Sequence, residues 1–130
     1  MNFQLTEDQQ TFKDSVLKFA GRHLRAGARE RAHATGYPWD VAKLMAENGL
    51  LGITIKEADG GQSGTLMDAV IAIEAIASVC PRSADVVQAG SFGPLRVFAE
   101  YGTAMQKERY LKKILAGEAV LLLWPDASAQ

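Results

Sequence analysis

"TLMDAVIAIEAIASVCPRSADVVQAGSFGPLRVFAEYG", Thr65 to Gly102, decides how the rest of the chain is read. Leu66, Ala69, Val70, Ile73, Ile76 and Ala77 recur at steps of three and four residues, the period of one helix face. Thr65 opens this helix. Cys80-Pro81 closes it, because a proline disfavours the helical shape of the residue before it. A second helical region covers 83–100 and is apolar nearly all round, with Val86, Val87, Phe92, Leu95, Val97 and Phe98. A helix with so little polar face is buried on several sides. Gly90, Gly93 and Pro94 interrupt it, so it kinks or divides into two pieces.

The same period extends toward the N-terminus. Thr6 and Gln9 have capping-box spacing, Glu7 and Asp8 put negative charge in the first turn, and Phe12, Val16, Phe19, Ala20 and Leu24 form the apolar face. Phe3 and Leu5, ahead of the cap, are placed to pack back as a staple. This helix runs into "RAGARERA", where Gly27 weakens it. Pro38 suits the first turn of the next helix and Gly49 its stop, with Leu44 and Met45 as the buried face. "LLGITI" is a short apolar stretch, and the glycines of "DGGQSG", Asp59–Gly64, make the adjoining segment a flexible loop.

Toward the C-terminus, Thr103 and Gln106 repeat the capping-box spacing. Tyr110, Leu111, Ile114 and Leu115 are the inward face, Lys107, Arg109, Lys112 and Lys113 a solvated one, and Gly117 the stop. The apolar run "AVLLLW" then has the look of a first strand. The sum is an all-α fold, a compact bundle of five or six helices over residues 1–118, with a short extended segment at 119–130.

Net charge is −1, from 14 Lys and Arg against 15 Asp and Glu, so the balance makes no case for nucleic acid or an anionic membrane. Cys80 is the only cysteine, which makes a reducing cytoplasm the default compartment. The first ten residues lack the basic start and apolar stretch of a secretory signal, and no apolar run approaches the roughly 20 residues of a membrane span. His23 and His33 are not at metal-ligand spacing. "DGGQSG" lacks both the Lys-Ser/Thr ending of a P-loop and the dinucleotide glycine spacing. Glu74, between Ile73 and Ile76, is either buried with a raised pKa or paired at the edge of the stripe. No Ser-His-Asp or Cys-His set is visible, so the residues define a helical domain without a complete active site.

Four segments, in order, resemble acyl-CoA dehydrogenases: "FQLTEDQQTFKDSVLKFAGRHL", "KLMAENGLLGITIKEADGGQSG", "DAVIAIEAIASVC" and "YGTAMQKERYLKKILAGE". The resemblance spans residues 3–118 and implies the N-terminal helical domain of a three-part flavoprotein that desaturates acyl-CoA thioesters. It implies FAD as cofactor of the parent enzyme, acyl-CoA as substrate, electron-transfer flavoprotein as electron acceptor and a homo-oligomeric parent. The glutamate base of such enzymes belongs to the C-terminal part, so no residue here takes that role. The segment implied to wall the acyl chain corresponds to Val87, Gln88, Gly90, Ser91 and Phe92, whose small members leave room beside bulky ones. The alternative role for these five is packing of the domain core. Leu123 and Trp124 fall near the first implied flavin contacts, but Trp124-Pro125-Asp126 does not reproduce the family's Thr/Ser-Glu-Pro motif, and Ile55-Lys56-Glu57 replaces its Ile-Pro-Glu. The other readings are a non-catalytic partner subunit of a dehydrogenase complex and a plain helical interaction module.

Overall fold

Thr6 caps the first helix as its spacing predicts: its hydroxyl accepts from the Gln9 N–H, and the Gln9 side chain accepts in turn from the Thr6 N–H. The computed structural model describes residues 1–123. In it α1 (Glu7–His23), α2 (Ala28–His33), α3 (Trp39–Glu47), α4 (Leu66–Ala77), α5 (Pro81–Ser91) and α6 (Pro94–Tyr101) succeed one another without a strand among the described residues. A last helical rod joins α7 (Ala104–Gln106), a π-helical stretch (Lys107–Leu111) and α8 (Lys112–Leu115). Gly27, in the left-handed region at φ 82°, separates α1 from α2, so the weak point in "RAGARERA" is a full break.

α4 lies between α1 and α5. It buries Ala69, Ala72 and Ala75, small residues that let its neighbours approach closely, together with Ile71 and Ile76. The expected stripe is therefore rotated: Leu66 and Val70 are about half exposed, and Ile73 packs at the rim of the core. The reason is that nearly every position of α4 is apolar, so periodicity alone does not fix which face turns inward. Glu74 sits on the outside and pairs with Lys13 at 3.1 Å, the second of its two expected states. Phe3 stays exposed and forms no staple, whereas Leu5 is half-buried.

The fourth helical region divides at Phe92-Gly93. Gly93 has φ 67° and ψ −130°, a conformation strained for a residue with a side chain, and Pro94 starts α6. Val97, expected inside, is half exposed. The last rod departs from expectation for one local reason. The π-helical stretch shifts the phase of the residues along it. Tyr110 consequently turns outward with the Arg109 guanidinium 5.3 Å from its ring centre, whereas Lys107, already on the Leu111 and Ile114 face by its spacing, pairs with Asp59.

The core has two parts. The larger gathers α1, α3, α4 and α5 around Leu24, Met45 and Ile76; the smaller gathers Ile55, Leu95, Ala99, Leu111 and Ile114. "LLGITI" joins them, with Leu50, Leu51 and Ile53 in the first and Ile55 in the second. The glycine loop after it is held down. Gly61, Gln62, Ser63 and Gly64 donate their N–H groups to the carbonyls of Lys56, Gly52, Ile55 and Ile53. A side chain at Gly61 would overlap the Ile55 carbonyl. Replacing Gly61 by Ala should thus cost about 1–3 kcal/mol or more by forced overpacking, read as a lower urea midpoint at unchanged slope.

Candidate functional site

The five residues expected to wall an acyl chain occupy the last turn of α5 and the corner after it. Two of them, Val87 and Gly90, face the core. Val87 is fully buried. Gly90 abuts Leu51, whose Cδ2 would stand 2.6 Å from an added Cβ. Ser91 is also fully buried, and its hydroxyl donates to the Leu50 carbonyl at 3.2 Å and accepts from the Ile53 N–H at 3.5 Å. The Gly52 N–H donates to the Gly90 carbonyl at 2.6 Å, and the Thr54 hydroxyl donates to the Ser91 carbonyl. A helix end leaves carbonyls without intrahelical partners. Here the 50–54 segment supplies the donors.

The remaining two point elsewhere. Gln88 is exposed, and Phe92 is half-buried against the rim of the larger core. The corner thus presents an amide and one aromatic edge on a backing fixed by hydrogen bonds. Leu123 is exposed, and Trp124 lies outside the described residues. The side chains leading to Leu123 (Val120, Leu121 and Leu122) are aliphatic. No ladder partner holds 119–123 as a strand among the described residues.

Two features escape a reading of the sequence. A groove of about 570 Å³ runs between Glu57–Gly60 and the π-helical stretch, with Leu111 and Leu115 in its floor and the Lys107–Asp59 pair at 3.3 Å within it. Lys107 stands four and seven residues before Leu111 and Ile114, on the same helix face, so its spacing points inward while its charge reads as solvated. A second, largely apolar cleft of about 270 Å³ is lined by Phe98, Tyr110, Lys113, Ile114 and 119–121. None of the five wall residues lines either space.

Titratable chemistry is sparse. Burial pushes the Cys80 thiol up, but hydrogen bonds from Ser83 and the Arg31 guanidinium outweigh it and leave the thiol below its ordinary value. Arg31 reaches this point because its guanidinium also donates to the Leu24 carbonyl at 2.9 Å, closing the end of α1. Tyr37 is pushed up by burial against a smaller opposing effect of Arg82. His23 stacks on Phe19 at 5.0 Å, and among the described residues no group of three or more His, Cys, Asp or Glu could hold a metal ion. No helix among the described residues is long and apolar enough to cross a membrane.

A helical bundle with a hydrogen-bonded corner at the end of α5 is the class of protein seen here. The family profile described as "Acyl-CoA dehydrogenase, N-terminal domain" matches residues 6–118, and the chain belongs to that family. Its relatives include isovaleryl-CoA dehydrogenase, mitochondrial, of Arabidopsis thaliana, 36% identical over 88% of this chain and 28% of the relative. They also include 3-sulfinopropanoyl-CoA desulfinase of Paraburkholderia xenovorans, 26% identical over 98% of this chain and 33% of the relative. The fold superposes with a TM-score of 0.81 on a solved chain described as "Electron transferring flavoprotein of Acidaminococcus fermentans: Towards a mechanism of flavin-based electron bifurcation", at 32% identity over all of this chain and 36% of that one. The chain therefore spans about a third of the length of the proteins it matches.

Removing the Ser91 hydroxyl strands the buried Ile53 N–H and the Leu50 carbonyl, which costs about 1–3 kcal/mol. Ser91→Ala should show that loss in chemical denaturation, with Phe92→Ala, at the half-buried corner, tested beside it as a packing comparison.

Proposed function

We propose that this chain is the N-terminal domain of an FAD-dependent acyl-CoA dehydrogenase and forms one wall of its acyl-CoA site. The family match over residues 6–118 carries this reading. Gln88, Phe92 and the Gly90-Ser91 turn are the wall's candidates, with Val87 behind them as packing. In a complete enzyme the flavin supplies the hydride acceptor; this chain's part is to bound the acyl chain and exclude water. The relatives' names include a dehydrogenase and a desulfinase, so the common property of such domains is handling a CoA thioester, and α,β-desaturation is the finer proposal.

The 130 residues are proposed to be inactive alone, with residues 1–118 the domain and 119–130 the entry to a β-domain. We assign the parent to the cytoplasm as a homo-oligomer that passes electrons to an electron-transfer flavoprotein. The likeness to a solved chain described under that flavoprotein's name supports the partner. A non-catalytic subunit that completes a dehydrogenase is the alternative, favoured by Trp124-Pro125-Asp126 in place of the family's motif.

The test mixes the purified chain with FAD, removes free flavin by gel filtration and records the spectrum. The expected result is a protein fraction without the flavin absorbance band, before and after addition of acyl-CoA. Stoichiometric bound flavin would contradict the proposal.

A further inference from the structure

Charge is unevenly placed along this chain. Residues 18–33 hold five cations (Lys18, Arg22, Arg25, Arg29 and Arg31) against Glu30 alone, while the rest of the chain has nine cations against fourteen carboxylates. Arg31 is engaged internally, on the Leu24 carbonyl. The other four are exposed. Lys18 and Arg22, one turn apart, lie on the side of α1 opposite its buried Val16 and Ala20, and Arg25 follows just past the end of α1. Arg29 stands on α2, beyond the break at Gly27.

The ion pairs among the described residues are Lys13–Glu74 and Lys107–Asp59, so none of the four has a carboxylate within ion-pair distance. Asp14, one turn earlier on α1, instead accepts from the Gln10 amide. The dipole of α1 favours a cation or two in its last turn, where Arg22 and His23 already stand. It gives no reason for the exposed Lys18, Arg25 and Arg29 to stand so near Arg22 in the chain.

We infer that these four cations form a docking surface for a carboxylate-rich segment of another protein. Three of the four are arginines, whose planar forks pair with carboxylates in bidentate fashion. Lys18 and Arg22 are about 6 Å apart along the axis, with Arg25 just past the helix end, a span within the reach of a short acidic segment. A membrane surface fits less well, because the large apolar side chains between these cations, Phe19 and Leu24, are turned to the core. An extended nucleic acid fits less well too, because its phosphates would run on from these cations onto a surface with an excess of carboxylates. The inference is independent of the flavin and acyl-CoA reading above.

The test titrates a fluorescently labelled oligoglutamate peptide with the full chain at low ionic strength. The variant Lys18→Gln/Arg22→Gln/Arg25→Gln/Arg29→Gln keeps helix propensity nearly unchanged, which circular dichroism verifies. It should weaken binding by about tenfold or more. Lys43→Gln/Lys56→Gln/Lys112→Gln/Lys113→Gln makes the same change of charge elsewhere and should leave binding within about twofold. Should the first variant lose its helical signal, Arg22→Gln/Arg25→Gln is used in its place, with an intermediate loss expected. Absence of binding by the wild-type chain, or an equal loss in both quadruple variants, would overturn the inference. Tighter binding through the same four residues to phosphatidylserine vesicles or to an oligonucleotide would overturn it as well.

Discussion

The attachment of the 50–54 segment to the last turn of α5 is the constraint on which the rest depends. Four hydrogen bonds from Gly52, Ile53, Thr54 and Ser91 serve a helix end and a buried irregular segment at once. Buried polar backbone must be paired, and neither partner has another way to pair it. Gly90 permits the approach, since a side chain there would press into Leu51. Once "LLGITI" is fixed, its alternate contributions to two apolar clusters tie the α1–α3–α4–α5 part of the fold to the part built from α6 and the last rod.

The same constraint explains what a domain of this kind can contribute to a larger enzyme. A wall that bounds a flexible acyl chain must stand still while the ligand moves, and a corner clamped by buried hydrogen bonds does so at little entropic cost on binding. What the described residues provide is shape: a half-buried ring at Phe92, an exposed amide at Gln88 and a glycine that turns the chain sharply between two helices.

Much of this was legible in the sequence because it rests on local rules. The capping boxes at Thr6 and Thr103 and the break before Pro94 come from short-range geometry and appear where expected. Thr65 also caps its helix, with Asp68 as the reciprocal partner. The rotation of α4 was hidden because small and large apolar residues surround that helix, and only packing against α1 and α5 selects the alanine face. The inward turn of Lys107 was hidden because its charge reads as solvated, although it stands four and seven residues before the buried Leu111 and Ile114. Which of Val87, Gln88, Gly90, Ser91 and Phe92 turn inward was not legible, because it depends on where the 50–54 segment lands, a contact about forty residues away in the chain.

Native-state hydrogen exchange at the Gly52 and Gly64 amides tests the central claim most directly. Both lie in segments without regular secondary structure, where exchange is ordinarily fast. If the 50–54 segment is clamped between α5 and the glycine loop, both amides exchange only with the global opening that releases core amides such as that of Ile76. Exchange at Gly52 as fast as that of an exposed loop amide, with the core still protected, would contradict the account.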